Sequence, residues 1–219
     1  MRRSRPMCMG WGRLATATVF AATALAVVTG CGSVPRTHYY VLAPSEGPQV
    51  SSPTTVGQRQ VVGVETFHVD PPYDQGLVVY RLASRPGEVG FYDYHRWAAP
   101  LGSLAALAFA DSAGESPEGP AADVVFEPTT PTGSYSAFLR GRILHLEEVD
   151  HPDGQVVRIV LELALDDPKK VPLWHRTLRS ETRLQAQEAS QIVDQIRTDF
   201  QALVLSARAE IRAVLAEDD

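Results

Sequence analysis

"QVVRIVLELAL", residues 155–165, decides how this chain folds. Val157, Ile159, Leu161, Leu163 and Leu165 recur at every second position, and Arg158, Glu162 and Asp166 take the places between them. Successive side chains of a strand point to opposite faces, so this alternation predicts a half-buried antiparallel strand. The flanks supply its neighbours. "DHPDG" at 150–154 is a hairpin turn signal. Before it, Tyr135–Glu148 reads as a strand with Tyr135, Ala137, Leu139, Gly141 and Ile143 on one face and Arg140 and Arg142 opposite. After it, "DPKK" turns the chain into a third strand, Pro172–Leu184, with Trp174, Leu178 and Leu184 in phase.

A sheet with one apolar face needs a cover. The last segment, 187–216, contains no Pro or Gly and carries Ile192, Ile196, Phe200, Leu203, Ala207, Ile211 and Val214 at helical spacing. Thirty residues of helix span about 45 Å. Either one stripe packs on the sheet and the rest is solvated, or the distal turns contact a partner or a second copy of the chain.

Towards the N-terminus, "THYYVL" at 37–42 and "QVVGVETFHV" at 60–69 read as strands, separated by a Pro-, Ser- and Gly-rich loop. "DPPYDQG" at 70–76 is a turn, and "LVVYRL" at 77–82 pairs with "VGFYDY" at 89–94 as a hairpin. Trp97, Leu101, Leu104, Ala105 and Ala108 then predict a helix over about 99–112. The proline-rich stretch 113–134 is a loop, interrupted by a short strand at 124–126.

The first thirty residues stand apart from this domain. Arg2, Arg3, Arg5 and Arg13 precede fifteen uncharged residues, Leu14–Val28. As a helix that run covers about 22 Å, short of the ~30 Å hydrocarbon core, so it reads as a signal peptide rather than a membrane span. Met1, Met7 and Met9 are all candidate starts. Val28-Thr29-Gly30-Cys31 resembles the lipobox of bacterial lipoproteins, in which the cysteine is acylated, with palmitate among its chains, and becomes the mature N-terminus. The alternative is plain secretory cleavage near Gly30. Only Cys8 and Cys31 exist, so lipidation also accounts for a lone thiol in an oxidising compartment. Gly32, in place of Asp, points to the outer membrane, facing the periplasm; inner-membrane retention is the other destination. The expected organisation is 1–30 signal peptide, 31–36 lipidated tether and 37–217 a single domain.

Removing the four arginines ahead of Cys31 leaves 16 basic against 26 acidic residues, a net charge of −10. A surface of that sign does not neutralise phosphates, so nucleic acid is excluded as a partner. The sequence contains no G-x-S-x-G, H-E-x-x-H, P-loop or G-x-G-x-x-G pattern. His38, His68, His95, His145, His151 and His175 are scattered, and Asp93 with His95 offers two metal ligands where three or four are needed. Glu147, Glu148 and Asp150 read as a solvated, acidic strand end. The expectation is therefore a protein that is not an enzyme, with no metal and no cofactor. Phe91, Tyr92, Tyr94 and Trp97 crowd together, either as core and turn caps or as a contact surface, since Tyr and Trp concentrate at binding hot spots.

The order of these features resembles the PqiC-type ABC-transport auxiliary lipoproteins. Their pattern is a lipidated Cys, a Tyr-Tyr-x-Leu strand, a "VGVGPVxLPxYLDRPQLVxR" segment and an "HRWAEPL" helix start. Tyr39-Tyr40-Val41-Leu42, Val62-Gly63-Val64 and His95-Arg96-Trp97-Ala98-Ala99-Pro100-Leu101 match it, and Pro71-Pro72-Tyr73-Asp74 stands at the "YLDRPQ" position. Ala99 replaces the usual Glu, and Gln75-Gly76 the Arg-Pro. The resemblance implies an α/β fold like the N-terminal domain of TolB, a mixed, largely antiparallel sheet flanked by helices. It also implies an auxiliary role beside a permease, an ATPase and an MCE-domain protein that move lipid and maintain the outer membrane. The docking surface expected from it is Tyr92, Tyr94 and Trp97 with Pro71, Pro72 and Tyr73. A homo-oligomer joined along the long helix is a further expectation. The competing function is an outer-membrane lipoprotein that scaffolds or activates a cell-wall enzyme, which the six-residue tether, roughly 21 Å at full stretch, disfavours.

Overall fold

A computed structural model describes residues 35–43, 60–111, 124–131, 133–186 and 188–217. The chain divides into two units, Met1–Arg36 and Thr37–Asp219. The expected signal peptide and Cys31 lie outside the described residues, as do most of the loops 43–59 and 112–123.

The second unit is built around one long strand, β7 (Ala137–His151). On one edge it pairs antiparallel along its whole length with β8 (Gly154–Asp166), which pairs antiparallel with β9 (Pro172–Leu184). Val157, Ile159, Leu161, Leu163 and Leu165 are all fully buried, as the alternation requires. The turn between β8 and β9 is closed by Asp167, whose Oδ1 accepts from the backbone N–H groups of Lys169 and Val171 at 2.8 and 2.7 Å.

The other edge of β7 is shared by three shorter strands, all parallel to it. β2 (Gln60–Val64) pairs at 137–139, β3 (His68–Val69) at 142–143 and β4 (Leu77–Leu82) at 147–150. β6 (Val124–Pro128) extends the sheet beyond β2. β5 (Val89–Trp97) extends it beyond β4 as an antiparallel hairpin partner, and β1 (His38–Tyr40) runs parallel on β5. The sheet is thus mixed, with its longest ladders antiparallel. β5 runs three residues further than the hairpin pattern predicts, because β1 pairs with His95, Arg96 and Trp97.

The strand expected over 60–69 is two strands. The chain leaves the ladder at 65–67 and sends Phe67 into the core, 5.7 Å from the ring of Phe109. Phe109 lies on helix α1 (Leu101–Asp111), which starts after Pro100 and is buried nearly all round, with only Leu107 among its large side chains exposed. Gly102 lets this helix approach closely: a Cβ there would meet the carbonyl oxygen of Phe67 at 2.1 Å.

Helix α2 (Ala189–Glu217) spans about 44 Å and covers the inner face of β7, β8 and β9. Its buried stripe is Ile192, Val193, Ile196, Phe200, Val204, Ala207, Ile211 and Leu215. Leu203 and Val214, expected in the stripe, are half-buried; the neighbouring Val204 and Leu215 face the sheet instead. Each fully buried Leu, Ile, Val or Phe contributes about 1.5–3 kcal/mol. No helix among the described residues is long and apolar enough to cross a membrane.

Candidate functional site

The turn before β4 and the last residues of β5 lie at one corner of the sheet. Tyr73–Gln75 form a single 3-10 turn, and Gly76 closes it with φ 71°, a left-handed conformation that glycine adopts without strain. The carbonyl of Gly76 accepts from the N–H of Trp97 at 3.0 Å, and the carbonyl of Tyr40 accepts from the N–H of Ala98 at 2.7 Å. Tyr40 stands level with Trp97 in the β1–β5 ladder. Three stretches far apart in sequence, 39–42, 70–76 and 95–101, are therefore tied by main-chain bonds.

Tyr73 turns inward and is 2% exposed. Its hydroxyl donates to Oε2 of Glu147 at 2.7 Å, and Nδ1 of His145 lies 3.0 Å from the same hydroxyl. With the tyrosine proton committed to Glu147, the imidazole is the donor in that second bond. Arg81 Nε donates to Oε2 of Glu147 at 3.2 Å; Arg158 donates to Oε1 from Nε at 3.0 Å and also from Nη2. Burial alone would raise the Glu147 carboxyl, but the bonds from Arg158 and Tyr73 and the two guanidinium charges hold it below the usual carboxylate range. Burial and the adjacent carboxylate push the Tyr73 hydroxyl up. Burial, then the Arg158 charge, push the His145 ring down.

Glu148, the next residue, faces the other side of β7. It accepts from the Tyr92 hydroxyl, and burial raises its carboxyl even though that bond opposes the shift. Glu147 and Glu148 are 0% and 3% exposed, so the solvated acidic strand end expected from the sequence is wrong. The reason is tertiary. Tyr73 and Arg81 cover one face of the strand end, and Tyr92 reaches Glu148 on the other.

The expected docking residues divide. Tyr94 is 39% exposed and Pro71 is exposed; Pro72 and Tyr92 are half-buried. Trp97 is 5% exposed and Tyr73 is core, so neither offers a surface for docking in the folded protein. That is a correction: both aromatic rings fix the corner from inside. Asp93 is exposed, while His95 stacks between His38 and Tyr40 at 5.2 and 5.8 Å and takes Tyr40 Oη at 2.8 Å on Nδ1. Burial, then the His38 charge, lower the His95 ring. Among the described residues no three His, Cys, Asp or Glu side chains converge as metal ligands.

An open groove of about 700 Å³ runs along the outer face of β7 and β8, lined in part by His68, Arg140, Arg142, Glu162 and His175. Both of its arginines and His175 are paired with carboxylates. Asp70 takes Arg142 through two bonds of 2.7 and 2.9 Å, which hold its carboxyl below the usual range. Arg140 binds Asp166 at 2.6 Å, and His175 lies 3.1 Å from Glu162. The Glu147 centre is likewise saturated by donors. It holds the 70–76 turn against β7 and leaves no carboxylate lone pair aimed at open space, so its chemistry is that of a clasp.

No family model matches the chain, and no curated protein matches it. Solved structures do. Protein XCC0632 from Xanthomonas campestris, of the DUF330 family, superposes with a TM-score of 0.62 at 13% identity, over 85% of this chain and 98% of that one. An uncharacterized protein superposes at 0.61 and 18% identity, over 81% of this chain and 99% of that one. The chain shares their fold. Lipoprotein GNA1162 from Neisseria meningitidis is a looser likeness, with a TM-score of 0.36 at 10% identity over 70% of this chain and 98% of that one.

Proposed function

We propose that this chain is a lipid-anchored, non-enzymatic auxiliary subunit of an ABC-type transport system that moves lipid across the bacterial envelope. Cys31 carries the anchor at the outer membrane, and the folded domain meets an MCE-domain protein or its permease in the periplasm. The observation that carries this reading is the corner itself. Two of the stretches that resemble the auxiliary lipoproteins, Tyr39–Leu42 and His95–Leu101, are paired through the main chain, and the turn that holds the third, Pro71–Asp74, is joined to Trp97 through the Gly76 carbonyl, with Pro71 on the surface. The fold shared with XCC0632, a DUF330 protein, supports it as well. The arrangement of the Glu147 centre as a saturated clasp favours a scaffold over a hydrolase.

The test is a detergent extract of cells expressing the tagged, full-length protein. Recovery of the MCE protein or permease with the wild type, and its loss with Cys31→Ser, is the expected result. An N-terminal peptide with unmodified Cys31, or no transport component in the eluate, overturns the proposal.

A further inference from the structure

The β1–β5 edge has two different faces. On one, His38 and Tyr40 stack with His95. Alternation therefore turns Tyr39 to the other face, where it stands level with Arg96. Tyr94 lies two residues before Arg96, in the irregular stretch of β5 between Tyr92 and Arg96. Tyr39 is 66% exposed and Tyr94 39% exposed, and both are among the few large apolar side chains so exposed. Arg96 is exposed beside them.

From the exposure and pairing of these residues we infer that Tyr39, Tyr94 and Arg96 form a surface that rests on the headgroup layer of the bilayer. This rests on the reading of Cys31 as the lipid anchor. β1 is the first element after that cysteine: eight residues separate Cys31 from Tyr39, at most about 28 Å of extended chain. Tyrosine suits a headgroup layer because its ring is apolar and its hydroxyl wet, and arginine pairs with lipid phosphate. Neither contact is strong alone. A tether of this length makes the second contact intramolecular, so weak affinity is enough to orient the body. Without the signal peptide the chain carries a net charge of −10, so an anionic bilayer repels it as a whole and favours an approach by a face that presents Arg96.

The experiment uses the full-length, lipidated protein in phosphatidylethanolamine–phosphatidylglycerol vesicles doped with brominated phosphatidylcholine, a short-range quencher of indole fluorescence. Tyr39→Trp and Tyr94→Trp place reporters on the face, and Val171→Trp places one on an exposed turn far along the chain. The native Trp97 and Trp174 are buried and give the background. Quenching of the Tyr39→Trp and Tyr94→Trp proteins, with the Val171→Trp protein at background, is the expected result. Vesicle flotation of each sample tests the anchor separately. Protein that floats without quenching at 39 or 94, or with equal quenching at 171, overturns the face and leaves the anchor standing. Protein that does not float overturns both. Loss of a co-purifying transport subunit in Tyr39→Ser/Tyr94→Ser, without quenching in the reporter proteins, makes the face a protein contact and also overturns the inference.

Discussion

The Tyr73 hydroxyl and the Glu147 carboxylate, 74 residues apart in sequence, meet at 2.7 Å with both side chains buried. This bond pins the 70–76 turn to the middle strand of the sheet. Tyr73→Phe keeps the ring and deletes the bond, leaving Glu147 to the two arginines and His145. The expected loss is about 1–3 kcal/mol, the range for a buried bond to a charged acceptor. Urea titration at neutral pH measures it. An unchanged midpoint would show that the hydroxyl contributes nothing to the clasp.

Glu147→Gln is the harsher change. It leaves Arg81 and Arg158, both partly exposed, facing a neutral amide where the Glu147 side chain is fully buried. Breaking a buried pair by removing one partner costs about 3–5 kcal/mol. The pH dependence carries a sign. The folded-state carboxyl is depressed, so its stabilisation is full above the ordinary carboxylate value and is lost as pH falls through the lower folded value. Wild type should therefore lose stability on acidification more steeply than Glu147→Gln, read as urea midpoint from pH 7 down to the acid limit.

Glu148 runs the other way. Its carboxyl is raised by burial, so the charged form burdens the fold, and stability falls as pH rises through the folded value. Glu148→Gln keeps an acceptor for the Tyr92 hydroxyl and removes the charge. The expected outcome is equal or greater stability at pH 8, with the wild-type deficit disappearing on moderate acidification. A loss of more than about 1 kcal/mol at pH 8 would mean that the ionised carboxylate stabilises its site.

These two carboxylates also mark where the sequence ceases to be legible. The β8 stripe reads directly from residues 157–165 because one face is core and the other polar. The end of β7 loses that contrast, since Leu146, Glu147, Glu148 and Val149 are buried in succession. One signal for Glu147 was available: the turn at 152–153 sets a register in which it opposes Arg158. Tyr73 and Arg81 gave none, because their approach to Glu147 depends on the parallel β4–β7 pairing. Arg208 is a residue the sequence does not single out: it lies in phase with Val204 and Ile211, and the fold buries it against Phe126 at 4.5 Å, bonded to the Phe109 carbonyl at 2.9 Å, where burial lowers its guanidinium to about 10. The aromatic run 91–97 was legible as a cluster, but which rings face out depended on β1 pairing with the end of β5.

Trp97 and Tyr94 should separate in any mutational scan of that cluster. Trp97→Ala empties a core site and is expected to cost about 3–5 kcal/mol. Tyr94→Ser changes an exposed ring and should stay within about 0.5 kcal/mol. Thermal melts of the two variants distinguish them. Partner loss in Trp97→Ala with a lowered melting temperature reports unfolding of the corner, whereas partner loss in Tyr94→Ser at unchanged stability reports a surface contact.

Gly102 gives a test in which helix propensity and packing have opposite signs. In an exposed helix interior, Gly→Ala gains about 1 kcal/mol. Gly102 is the second residue of α1, and its Cα faces the backbone of Phe67: a Cβ would sit 2.1 Å from the Phe67 carbonyl oxygen, against main chain rather than a flexible side-chain end. The same Phe67 donates its N–H to the Gly102 carbonyl at 3.2 Å, so the two segments cannot separate without breaking that bond. Gly102→Ala should therefore destabilise by about 1–3 kcal/mol, the usual range for overpacking. A stabilised Gly102→Ala protein would show that α1 does not approach the 65–67 segment this closely.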